Sequence, residues 1–311
     1  MRCIVVGYGV QGKKRLAVAA SEAAGVVDPF WAGAQWKDVR EVPVDLYDAA
    51  VVCTPDEPKM EILKHLVSYG KHALTEKPLH AGSDSELAAL EQDARDSGAL
   101  LVTAYNHRFE PHYVGMRDLI ASGELGKIYR CRMFYGNGTA RLVRESAWRD
   151  QGAGVLPDLG SHLLDTLNFW FGDLADDFRV ISASCFENRA ADHVVIGSEA
   201  SNPKLELEMT LVSWRNHFTC DISAEKGSAH IESLCKWGPS KFTRRTRMLP
   251  SGRPPEETIT LVQDDPTWAL EYSAFKALVA AGTRTDLSKD RWLLRTLGQL
   301  SNEVIKVSTR R

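Results

Sequence analysis

Long apolar runs are missing from this sequence. The opening Met1-Arg2-Cys3-Ile4-Val5-Val6 gives way to glycine-rich sequence at Gly7, which is too short a run for a signal peptide or a membrane span. The expectation is a cytoplasmic protein with no membrane partner. An excess of charge of one sign is lacking too. With 38 Lys+Arg against 41 Asp+Glu and a formal net charge of -3, nothing supports a broad nucleic-acid surface or a polybasic anchor. The six cysteines, Cys3, Cys53, Cys131, Cys185, Cys220 and Cys235, include no CxxC pair, so reduced and mostly buried thiols are expected in place of disulfides or zinc ligands. GxSxG, P-loop, protein-kinase and HExxH motifs are absent as well, which removes the commonest hydrolase, kinase and zinc-protease readings.

What remains is an ordinary globular balance. The 311 residues are 44% hydrophobic and 25% charged, enough for two domains or one large α/β unit. Apolar strand-like runs at 2–6, 25–28, 49–53, 72–75 and 99–104 alternate with helical stretches at 13–24, 57–68 and 85–97. That rhythm predicts a mainly parallel sheet covered on both faces. Residues 30–46 show no clear period and read as loop with a short helix. A helix ending near Ser122 gives way through Gly123 and Gly126, and from there the pattern changes. An alternating segment at 127–135 and a helix at 158–171 precede strand candidates at 179–186, 193–198, 204–212, 218–223 and 227–233. Successive strands without helices between them predict an antiparallel sheet. Pro250 to Pro255 reads as a surface loop, and helices at 267–281 and 289–307 close the chain. The expected division is a dinucleotide-binding domain at 1–120 and a substrate and oligomerisation domain at 121–311.

The sharpest local signal is Gly7-Tyr8-Gly9-Val10-Gln11-Gly12, which follows the first strand and opens the first helix. A dinucleotide site needs Gly7 for a tight turn, Gly9 for close approach of the pyrophosphate, and Gly12 for helix packing on the sheet. The helix N-terminus supplies N–H donors and a favourable dipole. Asp28, twenty-one residues after Gly7, is placed to accept ribose hydroxyls of NAD and to repel a 2′-phosphate, with NADP left open. A glycine turn that binds nothing and a simple Asp-Pro turn starter are the plain alternatives. Thr54-Pro55 and Glu76-Lys77-Pro78 also end strands, at the edge where open α/β folds bind ligands. Lys77 is there either a solvated charge or a cation assisting charge redistribution.

In the second half, Asp158 and His162 stand four apart, on one face of the helix predicted there. No third ligand accompanies them, so no metal is assigned. They are either a cap and a core histidine or an orienting carboxylate with an acid/base, a role that histidine's pKa near 6.5 suits. Asn106 and Arg108 are candidates for holding hydroxyls or a carboxylate, with domain packing the alternative. Trp148-Arg149 and Lys236-Trp237 are candidates for stacking and charged walls.

Taken together, these segments resemble the Gfo/Idh/MocA oxidoreductases. Gly7-x-Gly9-x-x-Gly12, Glu76-Lys77-Pro78 and Gly154-x-x-x-Asp158-x-Gly160-x-His162 match that family's nucleotide turn, EKP signature and second-domain signature, in order. The resemblance implies a Rossmann domain followed by an α/β domain with an open, mainly antiparallel sheet. It implies NAD-dependent hydride transfer to or from a sugar, cyclic polyol or sugar derivative. Lys77 would sit near the nicotinamide, Asp158 would orient substrate, His162 would be the acid/base, and the chain would form a homodimer or homotetramer. An NADPH-dependent reductase of keto-sugars or other carbonyls, and a non-catalytic nucleotide-responsive binding protein, are the alternatives.

Overall fold

The structure is a computed structural model that describes residues 1–146, 149–174, 177–198 and 202–308. Its elements run β1 (Cys3–Val6), α1 (Val10–Ala19), β2 (Ala23–Val27), β3 (Ala49–Val52), α2 (Asp56–Ser68), β4 (His72–Glu76), α3 (Asp84–Ser97) and β5 (Leu101–Ala104). Then come α4 (Pro111–Ala121), β6 (Ile128–Gly136), α5 (Ala140–Arg144), α6 (Ser161–Phe171), β7 (Arg179–Ser184), β8 (His193–Ser198), β9 (Lys204–Thr210), β10 (His217–Ala224), β11 (Gly227–Glu232), β12 (Ser240–Thr246) and β13 (Glu256–Leu261). Helices α7 (Thr267–Ala280) and α8 (Ser288–Ser308) end the described chain. Among the described residues no helix is long and apolar enough to cross a membrane.

Packing divides the chain into one unit of Met1–Asn106 with Pro266–Leu294 and another of His107–Asp265 with Arg295–Arg311. The first unit holds a five-stranded parallel sheet in the order β2-β1-β3-β4-β5. β1 and β3 are buried along their whole length, which is why their sequences are continuous apolar runs without alternation. The chain leaves β1 for one neighbour and reaches β3 on the other side, so their carboxyl ends form the topological switch point at which such sheets bind ligands. Ile4, Val6, Ala50 and Val52 join Leu63 of α2 and Leu87 of α3 in one core cluster, and Cys3, Ala49 and Val51 join Tyr272 and Phe275 of α7 in another. The first helix begins three residues before the predicted start and ends at Ala19, because a short 3-10 turn and β2 take over Ala20 to Ala24. The stretch predicted as loop contains two 3-10 turns, Val39–Glu41 and Val44–Leu46.

The second unit holds an eight-stranded sheet in the order β13-β12-β11-β10-β6-β9-β8-β7. Its pairings are antiparallel apart from the parallel pair of β6 and β9. β10 alternates buried Phe218, Cys220 and Ile222 with more exposed Thr219, Asp221 and Ser223, so one face of the sheet packs inward. α6 lies in this core through Leu163, Leu164, Leu167 and Trp170, and the Trp170 indole donates to the Tyr113 carbonyl at 3.0 Å. β12, β13 and α5 are additional to the elements predicted from sequence.

One buried ion pair ties α7 to the first sheet. Arg15 of α1, 2% exposed, reaches Glu76 at 2.8 Å and Glu271 at 2.5 Å. Burial works against this charge, and the adjacent Glu271 and Glu76 carboxylates outweigh it. Removing one partner strands the others. Arg15→Met is expected to destabilise the chain by about 3–5 kcal/mol in urea unfolding, and Arg15→Met/Glu271→Gln to recover a large part of that loss. A double variant as unstable as the single one would contradict this reading.

Candidate functional site

The nucleotide turn occupies the switch point between β1 and β3. Gly7 has φ +94°, and a Cβ there would lie 2.9 Å from the Cys53 backbone carbonyl. A Cβ on Gly12 would fall 1.9 Å from the Gly7 carbonyl oxygen. The protein's own packing therefore requires both glycines. Gly9 differs, because a Cβ there would meet nothing within 4 Å. Packing among the described residues does not account for this glycine, and the open space leaves its backbone accessible to a ligand. Gly9 is also the N-cap of α1, with no side-chain cap and no acidic residue in the first turn, so the side chains of this helix end leave its positive pole open to an anion. Val10 is exposed. Thr54, whose backbone nitrogen would lie 3.1 Å from a Cβ on Gly7, carries a hydroxyl that is buried without a hydrogen-bond partner among the described residues. These features fit a bound dinucleotide.

Asp28 organises the rim. Its Oδ2 accepts the Tyr8 N–H at 2.7 Å, and its Oδ1 accepts the Phe30 and Trp31 N–H groups at 2.8 and 2.7 Å. Burial opposes ionisation, yet donation from Tyr8, Trp31 and Phe30, helped by Lys37, holds the carboxyl below its usual value. Of roughly four lone-pair sites on a carboxylate, three are in use. The Tyr8 and Trp31 rings stack at 3.7 Å. The Lys37 ammonium donates to the Trp31 carbonyl at 2.7 Å. Glu76 is clamped by Arg15, whose Nε donates to it at 2.9 Å, so the residue before Lys77 is fixed at the end of β4. Burial pushes the Cys53 thiol up, leaving it protonated and unreactive. Asn106 donates through Nδ2 to the Thr267 hydroxyl at 2.8 Å, and both residues are buried.

In the second unit, a five-residue π-turn, Leu156–Gly160, precedes α6. Its wider winding changes the phase between Asp158 and His162 from that of the continuous α-helix predicted there, and such π-turns recur at functional sites. Gly154, with φ +57°, lets the chain pass the Ala191 carbonyl, which a Cβ would meet at 2.0 Å. His162 is 8% exposed, and its ring stacks on that of His107 with centroids 4.0 Å apart and planes 18° off parallel. The Nε2 of His107 lies 3.2 Å from the Lys236 ammonium. Asp158 is half-exposed and pairs with Arg149 at 3.3 Å. Arg108 grips buried Asp165 with both Nε and Nη2, a fork in which the guanidinium orients the helix carrying His162. Burial, then the Asp158 and Glu110 charges, pushes the Tyr135 hydroxyl up, so it stays a neutral donor. The Tyr135 ring lies 6.1 Å from that of His162.

A family model for the NAD-binding Rossmann fold of an oxidoreductase family matches residues 1–105, and the GFO/IDH/MocA C-terminal domain model matches residues 113–230. The chain belongs to the Gfo/Idh/MocA oxidoreductase family. Among curated proteins it is 27% identical over 161 residues to inositol 2-dehydrogenase of Rhizobium meliloti (strain 1021), covering 50% of this chain and 47% of that protein. It is 32% identical over 141 residues to 1,5-anhydro-D-fructose reductase of Ensifer adhaerens, covering 44% of this chain and 41% of the relative. The chain thus spans about half the length of the curated relatives it matches. Among solved structures, levoglucosan dehydrogenase in complex with NADH shares the fold at TM-score 0.83 with 18% identity, over 99% of this chain and 98% of that one.

Within this Gfo/Idh/MocA member the sequence-derived candidates separate into groups. Gly7, Tyr8, Gly9, Val10, Gln11, Gly12, Asp28, Thr54, Pro55, Glu76 and Lys77 belong to the first unit. The switch point gathers the glycine turn, Asp28 and Thr54, while Glu76 and Lys77 follow β4. Arg108, Arg149, Asp158 and His162 belong to the second unit, and Trp148 lies outside the described residues. Asn106 and Arg108 have structural partners in Thr267 and Asp165. Lys236, expected with Trp237 as a charged and stacking wall, lies against His107, which was not predicted as a site residue. The only sequence signal for His107 is its place between Asn106 and Arg108.

Two outcomes follow from the glycine geometry and from Asp28. Gly9→Ala is expected to fold with unchanged stability and to bind NAD at least about ten-fold more weakly, whereas Gly12→Ala is expected to lose stability in thermal melts. Equal loss of stability in both would remove the ligand-based explanation of Gly9. Because the folded pKa of Asp28 is lowered, its contribution is complete above pH 3.8 and declines as pH falls through the lower folded value. Chemical unfolding of Asp28→Asn should show a deficit of about 1–3 kcal/mol at neutral pH that shrinks in acid. A deficit independent of pH would contradict the assigned hydrogen bonds.

Proposed function

We propose that the protein is a cytoplasmic NAD-dependent dehydrogenase that oxidises, reversibly, a secondary alcohol of a cyclic polyol, sugar or sugar derivative. The observation that carries this reading is Gly9: a glycine that internal packing does not demand, capping a helix whose first turn bears no acidic side chain. Family membership supports a hydride-transfer reaction, and the names of the relatives, an inositol dehydrogenase and an anhydrofructose reductase, support the substrate class.

NAD, when bound, supplies the acceptor for the hydride that leaves the carbinol carbon. The backbone N–H groups of the Gly7–Gly12 turn hold its diphosphate, and the ionised Asp28 accepts one ribose hydroxyl with its remaining capacity and disfavours a 2′-phosphate. His162 takes the hydroxyl proton as the C–H bond breaks and returns it in reduction. The Lys77 ammonium donates to the same oxygen, stabilising the charge that builds there. Asp158 accepts from a neighbouring substrate hydroxyl and fixes its direction, with Arg149 holding that carboxylate. The reaction requires both sets of residues to act on one substrate.

The resemblance also implies a homodimer or homotetramer. In support, exposed Arg130 and Arg132 alternate with Glu206 and Glu208 along the paired strands β6 and β9, a ladder of both signs that suits pairing with a second copy.

The decisive variant is His162→Ala, read by single-turnover reduction of NAD with the best substrate from a panel of polyols, sugars and sugar acids. The chemical step should slow by about 10²–10⁴-fold, while NAD affinity stays unchanged. An unchanged chemical rate would refute the acid/base role, a strong preference for NADPH would overturn the role of Asp28, and binding without turnover across the panel would favour a nucleotide-responsive binding protein.

A further inference from the structure

Helix α2 buries a lysine among its apolar contacts. Lys59 lies on the face that also buries Met60, Leu63, Leu66 and Val67, and it is 1% exposed. A buried ammonium is tolerated when each of its hydrogens finds an acceptor. Lys59 meets that condition, donating to Asp56 Oδ1 at 2.7 Å, to the Glu76 carbonyl at 3.0 Å and to the Pro78 carbonyl at 3.2 Å. Three N–H groups meet three acceptors, and two of these belong to the residues on either side of Lys77.

We infer that Lys59 is a positioning residue for Lys77, a buried cation that fastens the backbone before and after it so that the Lys77 ammonium is presented in one orientation. The inference rests on the role proposed above for Lys77. Arg15 adds a second hold, on the Glu76 carboxylate, so Glu76 is gripped through both backbone and side chain. Held at Glu76 and Pro78, the segment leaves Lys77 mainly the torsions of its own side chain. Carbonyls accept from a cation more strongly than from a neutral donor. Lys59→Met keeps much of the volume of this side chain and releases both carbonyls. Small displacements of a group that acts on a reacting atom cost rate far more than binding.

The test uses the full chain saturated with NAD and labelled with 13Cε-lysine. The Lys77 resonance, identified by its loss in Lys77→Arg, should stand apart from those of exposed lysines in the parent. In Lys59→Met it should move toward the position of exposed lysines, with NAD affinity within about three-fold of the parent. An unmoved Lys77 resonance in folded Lys59→Met would overturn the inference. If that variant does not fold, Asp56→Asn, which loosens the half-exposed anchor of Lys59, should move the same resonance by less in the same direction, and no movement overturns the inference. With the best panel substrate, Lys59→Met should slow single-turnover hydride transfer about ten- to hundred-fold in the parent and have almost no further effect where Lys77 is already Met. Equal slowing in both backgrounds would mark Lys59 as merely structural and overturn its link to Lys77. Should Lys77→Met itself leave the rate intact, the catalytic reading of Lys77 fails, while the resonance still reports whether Lys59 holds it.

Discussion

The close approach of α1 to the strand end before it is the constraint on which the rest of the first unit depends. A Cβ at Gly12 would overlap the Gly7 carbonyl, and one at Gly7 would press on the Cys53 backbone, so helix, turn and β3 pack together only with glycine at both places. That packing brings the N-terminus of α1 to the point where the strand order reverses. The anion-binding capacity of a helix end becomes useful there because the diverging strands open a crevice. Gly9 stands apart from the other two glycines in having open space where its side chain would be.

Around this turn, charged side chains serve as fasteners for backbone. Asp28 binds the Tyr8, Phe30 and Trp31 N–H groups, Lys59 binds two carbonyls beside Lys77, and Arg15 joins α1 to Glu76 and to α7 through Glu271. In the second unit Arg108 does the same for α6 through Asp165. A buried ion that makes its full set of hydrogen bonds fixes geometry more tightly than apolar contact does, and its removal leaves unpaired charge behind. Residues that reach a substrate can thus be held by neighbours that never touch it.

Much of the first unit was legible from sequence because its strands are buried on both faces and read as unbroken apolar runs, while its turn chemistry depends on local glycine and proline. β13, Glu256–Leu261, was not, because it is largely exposed and its membership of the sheet comes from pairing with β12, with no apolar face to announce it. The π-turn before α6 escaped for a related reason: Leu156, Leu159 and Gly160 are all buried, and an apolar pattern does not distinguish a π-turn from the first turn of an α-helix. The candidate site divided in the same way. Gly7, Gly9 and Gly12 carried their spacing openly. The engagement of Asn106 by Thr267 and of Arg108 by Asp165 is made by partners 161 and 57 residues away, and the burial of Lys59 follows from acceptors seventeen and nineteen residues on. Such partners are set by tertiary packing, which no window of local sequence contains.

Whether the glycine turn binds a dinucleotide is read by a calorimetric titration of the full chain with NAD and, separately, with NADP, after any co-purified nucleotide has been identified by native mass spectrometry and removed. One saturable NAD site per chain is expected, with NADP bound markedly more weakly. Absence of saturable binding of either nucleotide by correctly folded protein would contradict it.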